Sequence, residues 1–409
     1  MRRTAHPWGT PPWSIDYQPA VKPIPKHVDF AVVGAGFAGL SAAAWLARLA
    51  SGKTVLILES ESIGNGASGR TGGMVLDQTA AGSLPELGNV LEGYKKILGT
   101  LKVNSELALP GAWELARRKP LQDSLICWND SGELRGVAKV PGGSVNPGKV
   151  ISGLARAAEK AGAQILEHAE VLDATAPPES KNARTPEPIR LRVRVRSRGR
   201  SRTAFITADQ VLLTTNAGSL GLSGLARVAE PKLTLALATE PLGSGQIHAL
   251  GLASHQPFYT VDFPYLWGRL MENDAIIFGA GLLPRPKSGN SPFNPHPATR
   301  PPGTSFRDLL RFDVRRGATR ECFDWLETRV HNLHPTLEDV RITHRWGGPI
   351  LFTKDFKPVF RHHSESKKIL VLGAFSGHGV ALSVYLGHRA AQVMLGLRDL
   401  PGWALPRSR

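Results

Sequence analysis

A chain of 409 residues with 42% hydrophobic and 21% charged residues is globular and long enough for two intertwined domains. Its two cysteines, Cys127 and Cys322, exclude a disulfide framework and suit a reducing, cytoplasmic setting. The net charge of +16 admits a polyanionic partner, so the source of the excess has to be found.

Residues 1–26 carry Arg2 and Arg3 with no apolar run behind them, prolines at 7, 11, 12, 19, 23 and 25, and Trp8 and Trp13. This does not fit a secretion signal and reads as an extended arm lying over the body. Val28–Val33 follows as a short apolar strand, then Gly34-Ala-Gly36-Phe37-Ala38-Gly39, a small-residue helix, a second strand Thr54–Leu58, and Glu59. Gly34 permits the tight turn, Gly36 lets a pyrophosphate lie on bare backbone, and Gly39 lets the helix approach the sheet. The helix N-terminus holds the phosphates, and Glu59 accepts from ribose hydroxyls. Ser60, Glu61 and Ser62 supply no cation for a 2′-phosphate, so the nucleotide is expected to be FAD or NAD rather than NADP. Residues 31–50 contain one charge, Arg48, but three spaced glycines at a strand-to-helix junction argue against a membrane span.

After Glu59 comes Ile63-Gly-Asn-Gly66-Ala67-Ser68-Gly69-Arg70-Thr71-Gly72-Gly73, small residues that let backbone pass flush against a flat ring. Arg70 is the only charge there; it supports a flavin pyrimidine or a substrate carboxylate, or else points outward to solvent. Val150–Gly162 is an amphipathic helix leading to a strand at 163–166, and residues 173–188 form an exposed loop.

Arginines at 190, 192, 194, 196, 198, 200 and 202 alternate through a hairpin turning near Gly199, which places Leu191, Val193 and Val195 inward. The row accounts for much of the excess charge. It suits a solvated, edge-protecting face better than nucleic acid, since no aromatic residue interrupts it to stack on bases. An apolar strand from Ala208 ends in Thr214-Thr215-Asn216-Ala217-Gly218. Tyr259, Tyr265 and Trp267 are odd-numbered and share one face of an extended segment; they serve either a substrate wall or an ordinary sheet face. Residues 284–304 are an insertion. The last unit is strand Ile369–Leu372, the turn Gly373-Ala-Phe-Ser376-Gly377-His378-Gly379, and helix Val380–Leu395. That helix N-terminus suits the N1–C2=O edge of a flavin, which becomes anionic on reduction.

Nucleotide-type units at both ends enclose an irregular, antiparallel middle. The expected fold is α/β, a Rossmann-like FAD-binding domain with a parallel sheet, joined to a mostly antiparallel α+β substrate domain with helices. The expected boundaries are 27–85, 142–232 and 340–409 for the first, and 86–141 and 233–339 for the second. No metal site is expected.

As a set the motifs resemble the D-amino-acid-oxidase-like FAD-dependent oxidoreductases. They comprise Gly34, Gly36 and Gly39 with Glu59, Gly66–Gly73, Gly142-Gly-Ser-Val-Asn-Pro147 and Thr214–Gly218. Trp346-Gly347-Gly348 with Asp355 and Pro358, and Ser376–Gly379, complete the set. The Ser-Gly-Arg-x-Gly-Gly and Ser-Gly-His-Gly pair is most similar to the gamma-glutamylputrescine oxidoreductase branch, related to the glycine and sarcosine oxidases. The resemblance implies FAD held by Gly34, Gly36, Phe37, Ala38, Gly39, Glu59 and Ser60. It also implies contacts from Ser68, Gly69, Arg70, Thr71, Gly72, Gly73, Thr215, Asn216, Ala217 and Gly347. Gly373, Ser376, Gly377, His378, Gly379 and Val380 close the cofactor set. His378, Arg70, Tyr259, Tyr265 and Trp267 are the expected catalytic or substrate-facing residues; a hydrogen-bonded turn histidine is the alternative for His378.

The implied chemistry is oxidation of the C–N bond of a small amine or amino acid by hydride transfer to flavin N5. The imine product is hydrolysed, and the electrons pass to oxygen or another acceptor. The family's covalent anchors, a cysteine before the Asp355 position or a histidine after Glu59, have no counterpart, so FAD is expected to be non-covalent. Sarcosine oxidase's oxygen-promoting lysine is also missing from Ala275–Gly279. Two other functions stay open. One is a flavoenzyme modifying a tRNA wobble base, which the basic surface would suit; the other is a flavin-binding subunit of a larger dehydrogenase.

Overall fold

The computed structural model describes residues 7–121, 124–177, 187–197, 199–262, 265–281, 313–314 and 317–404. The insertion expected at 284–304, residues 178–186 of the expected loop, and Arg198 lie outside them.

Apolar runs such as Val55–Leu58 and Ile369–Leu372 bury both faces of their strands, and that is the pattern of a parallel sheet covered on each side. His27–Val33, Val55–Leu58, Gln164–Leu166, the end of Arg200–Leu213 and Ser366–Gly373 run parallel. Val359–His363 is added antiparallel at one edge. On one face pack the helices Phe37–Leu49, Val90–Thr100, Pro147–Lys160 and Gly379–Met394, sharing a core that includes Leu40, Tyr94, Leu154 and Leu386. Pro147–Lys160 starts where it does because Asn146 accepts from the Lys149 amide and Pro147 presets the first turn. The other face is covered by a meander of Ala169–Thr175, Ile189–Ser197 and the first half of Arg200–Leu213. The expected Rossmann-like arrangement is present.

The second sheet is mostly antiparallel, in the order Ile342–Thr353, Ala229–Pro241, Ala275–Gly281, Trp267–Leu270, Phe258–Thr260, Ala112–Ala116, Glu133–Val140, Cys127–Asn129. Phe323, Leu326 and Val330 of helix Gly317–His331 complete its core. Two elements sit differently from their expected domains. Val90–Thr100 contributes Val90, Leu91, Tyr94, Ile97 and Leu98 to the core of the nucleotide-side helices, and Ile342–Thr353 is an edge strand of the second sheet. Tyr259 and Trp267 are not on one extended segment either. They stand directly opposite one another on two paired strands, because the chain reverses between Thr260 and Trp267.

The arginine hairpin turns at Gly199, with Leu191, Val193 and Val195 buried and Arg190, Arg192, Arg194 and Arg196 exposed. The neighbouring strands alter its chemistry. Asp173 stands opposite Arg192, and Glu170 both opposes Arg194 and pairs with it at 3.2 Å. Phe205, opposite Arg192 on the other side, is 63% exposed, so an aromatic does join the row across the ladder. Among the described residues no helix is long and apolar enough to cross a membrane.

A buried ion network fastens the second sheet to its helix. Asp130 accepts from Arg329 at 2.9 and 2.6 Å and from Arg117 at 2.8 Å, while Arg117 reaches Asp262 at 2.7 Å. The side chains of Asp130 and Arg329 are 2% and 4% exposed. Truncating the carboxylate strands buried guanidinium charge, which costs about 3–5 kcal/mol. Asp130→Ala is therefore expected to lower the unfolding free energy, read from urea titration, by an amount in that range. A loss below about 1 kcal/mol, the scale of an exposed pair, would contradict this assignment.

Candidate active site

The glycine turn is built by contact. A Cβ on Gly39 would stand 1.9 Å from the Gly34 carbonyl oxygen and 2.7 Å from Thr214 Oγ1. Only glycine lets the helix start this close to the strand end. Thr214 ties the neighbouring strand to the same point, donating to the Val33 carbonyl at 2.9 Å. Ser68 Oγ accepts from the Phe37 amide at 3.0 Å, and a Cβ on Gly36 would come within 2.8 Å of it. The second glycine loop is thus folded over the first turn of the helix. Glu59 accepts from the Ala35 and Glu61 amides, each at 2.9 Å, while burial raises its pKa. Its carboxylate is fixed at the end of strand Val55–Leu58, where a ribose would lie.

From Glu59 a single cleft of about 930 Å³ runs between the two sheets to Tyr259, Tyr265 and Trp267. It is lined by Gly34, Gly36, Phe37, Ala38, Glu59, Ser60, Ser68, Arg70, Thr71 and Gly72 from the first half of the expected cofactor set. Thr215, Asn216, Ala217, Gly347, Ser376, Gly377, His378, Gly379 and Val380 line it from the second half. Gly39, Gly69, Gly73 and Gly373 stand outside the lining; Gly39 acts through packing instead.

Arg70 is neither outward nor paired with a carboxylate. It is 8% exposed, with Nε donating to the Asn65 carbonyl at 3.1 Å and Nη1 to the Trp8 and Gly9 carbonyls at 3.3 and 3.0 Å. Its Cζ lies 5.4 Å from the centre of the Trp8 ring. Burial lowers its pKa to about 10, which leaves it charged at neutral pH. The expected arm is therefore part of the site: Trp8 lines the cleft, and Trp13 Nε1 donates to the Gly69 carbonyl at 2.9 Å. Trp346, fully buried, donates from Nε1 to the Arg70 carbonyl at 2.9 Å.

His378 caps helix Gly379–Met394 without a side-chain capping bond. Burial pushes its imidazole below the ordinary range, and its buried Nδ1 has no hydrogen-bond partner among the described residues. Ser383 Oγ, also in the lining, is buried and unpartnered in the same sense. Polar atoms left this way at the edge of a cavity are what a bound polar ring would satisfy. Trp267 packs into the space a side chain would fill at Gly72 and Gly279, where a Cβ would come within 2.2 and 2.0 Å of the indole. Tyr259 donates to Glu114 at 2.8 Å, and the Tyr265 carbonyl accepts from Arg329 at 2.9 Å.

The cleft also contains Glu114 and Val171, which the sequence did not single out, and Trp8, Arg196 and Trp346, to which it gave no role in the site. Arg196 leaves the exposed row to donate to the Ser60 carbonyl at 2.6 Å and to Glu61 at 2.5 Å, beside the ribose end. The alternation placed it on the outer face, and nothing local signals that this face borders the nucleotide cleft. Among the described residues no cluster of possible metal ligands is present.

A family model, FAD dependent oxidoreductase, matches residues 29–125 and 85–393. A probable oxidoreductase OrdL of Haemophilus influenzae is 25% identical over 419 residues, spanning 91% of this chain and 84% of that protein. The structure of glycine oxidase from Geobacillus kaustophilus superposes with a TM-score of 0.63 at 18% identity, covering 94% of this chain and 100% of that one. Fructosamine oxidase from Aspergillus fumigatus gives 0.65 at 13% identity, with 93% and 89% covered. At such identities the two structures speak for the fold.

Gly36→Val is expected to abolish FAD retention through purification, because the added side chain meets Ser68 and fills the cradle. Arg196→Ser is expected to weaken FAD binding roughly tenfold, about 1.4 kcal/mol, in fluorescence titrations of the apoprotein. Arg192→Ser, opposite Asp173 and outside the lining, is expected to leave that affinity unchanged. Equal effects of the two arginine changes would contradict the placement of Arg196.

Proposed function

Because the chain belongs to the DAO family of FAD-dependent oxidoreductases, we propose that it oxidises the C–N bond of a small amine or amino acid. The observation that carries this reading is the cleft itself. It joins a ribose-binding carboxylate, two small-residue loops and an aromatic wall without interruption, which suits a dinucleotide at one end and a small substrate at the other. Glycine oxidase and fructosamine oxidase, named for substrates that carry a C–N bond, share this fold.

Bound FAD supplies the two-electron acceptor for the substrate. The chain's own residues position and polarise. Arg70 holds a permanent positive charge in the cleft wall, in a setting of low dielectric that stabilises negative charge developing nearby. The N-terminal amides of helix Gly379–Met394 face the same cleft and act in the same sense. His378, neutral above its lowered pKa, serves as a hydrogen-bonding group rather than a second cation. Trp8, Trp267 and Trp346 give the cleft apolar wall. The lining residues just after Glu59 include no histidine and those before Asp355 no cysteine, which supports FAD held without a covalent bond. No lysine occurs on Ala275–Gly281, which keeps a dehydrogenase with another acceptor open beside an oxidase. The acids beside Arg192 and Arg194 offset the basic row and favour a small substrate over a nucleic acid. Cys127 and Cys322 stand in no disulfide, in keeping with a cytoplasmic enzyme.

Anaerobic mixing of the yellow protein with a panel of amines and amino acids is expected to bleach the flavin with at least one of them. A protein that none of them bleaches would overturn the reading in favour of a flavin-binding subunit. With the active substrate, Arg70→Ala and His378→Ala are expected to slow reduction roughly tenfold to a thousandfold, on the order of 1.4–4 kcal/mol. Burial lowers the His378 pKa, so the imidazole is neutral at both pH 7 and pH 9. The deficit of His378→Ala is therefore expected to be the same at both, and a deficit that vanishes by pH 9 would show that the imidazolium was the acting form.

A further inference from the structure

The cleft contains a carboxylate that the roles above leave unused. Glu114 sits at the centre of strand Ala112–Ala116, half-buried, with its side chain in the lining. Tyr259 Oη donates to its Oε1 at 2.8 Å. Burial, then Glu114 and Asp77, push the Tyr259 hydroxyl up, so it remains a protonated donor. Among the described residues Glu114 makes no ion pair. The two arginines of the lining are held elsewhere, Arg70 by Asn65, Trp8 and Gly9, and Arg196 by Ser60 and Glu61. A half-buried carboxylate in an aromatic-lined cleft, with no cation of its own, is free to take one from a ligand.

Register fixes where that ligand group would lie. Glu114 pairs with Tyr259 and Tyr259 with Trp267, so the three stand in a row across adjacent strands, and Trp267 abuts Gly72 of the ring-side loop. Two strand spacings place Glu114 about 10 Å from the Trp267 strand. A nitrogen reacting near Gly72 is out of reach of Glu114, whereas a second group several bonds along the same molecule is within it. Tyr259, Tyr265 and Trp267 line the same cleft as the carboxylate, and aromatic rings are common surroundings of a recognised ammonium.

We propose that Glu114, held by Tyr259, is a specificity-determining residue that binds a second, non-reacting cationic group of the substrate, so that diamines and related polycations are preferred. This rests on the amine-oxidation reading for turnover, but the binding site can be tested separately. Calorimetric titration of the FAD-loaded protein with 1,4-bis(trimethylammonio)butane, a dication with no oxidisable N–H, is expected to show binding that salt weakens. Adipate, of similar length and opposite charge, is expected to bind at least tenfold more weakly. Glu114→Gln is expected to weaken the dication at least tenfold and Tyr259→Phe several-fold, with FAD content and thermal midpoint reported for each. In turnover, the preference for a diamine over a monoamine, as a ratio of kcat/KM, is expected to fall at least tenfold in Glu114→Gln. Adipate binding as tightly as the dication to the wild type would overturn the proposal even if the variants failed to fold. So would a dication affinity within twofold of wild type in folded Glu114→Gln. A wild type that binds the dication but is reduced by no amine would refute the oxidation reading and leave the cation site standing.

Discussion

One close approach fixes the geometry on which the rest depends: the first turn of helix Phe37–Leu49 against the Gly34 carbonyl, with Gly39 at the contact. A single methyl there would push the helix off the strand end. The helix would then no longer present its free amides beside Glu59, and the Thr214 hydroxyl would lose its place between the two strands. Ser68 rests on the same turn, so the second glycine loop inherits its position from the first. The site is assembled outward from that contact.

The second sheet meets this scaffold through buried polar groups that each link distant segments. Trp346 donates to the Arg70 carbonyl, Arg269 donates to the Gly72 carbonyl at 2.5 Å, and Arg70 itself binds the N-terminal arm. Each guanidinium is desolvated and donates to carbonyl oxygens; no carboxylate acts on Arg70, whereas Glu106 acts on Arg269 through space. The loop Gly64–Gly73 is thereby clamped from three sides and can be both glycine-rich and rigid. A preorganised wall of this kind loses little entropy when it meets a flat ligand.

What the sequence made legible follows the range of the interactions. The strand, turn, helix and acid at 28–59 are local, and periodicity and turn chemistry sufficed to place them. The last strand and helix were readable for the same reason. Glu114 was not, because its meaning comes from Tyr259, 145 residues further on. Arg196 meets Ser60 across 136 residues, and Trp8 meets Arg70 across 62. Alternation assigned the arginine row to the outer face correctly; it had no information about Asp173, Glu170 and Phe205 on the strands alongside. Tyr259 and Trp267 were chosen on residue type and parity, and they reach one wall through a hairpin that parity alone does not imply.

The positions of the ring and the substrate in the cleft decide what each lining residue does. A crystal structure of the FAD-loaded protein with a bound, unreactive dication tests that directly. The adenosine is predicted at Glu59 and the isoalloxazine between Gly64–Gly73 and Ser376–Gly379, with one cationic nitrogen against Glu114 and the chain running beneath Trp267. An isoalloxazine found away from those two loops, or a ligand lying outside the wall of Tyr259, Tyr265 and Trp267, would contradict it.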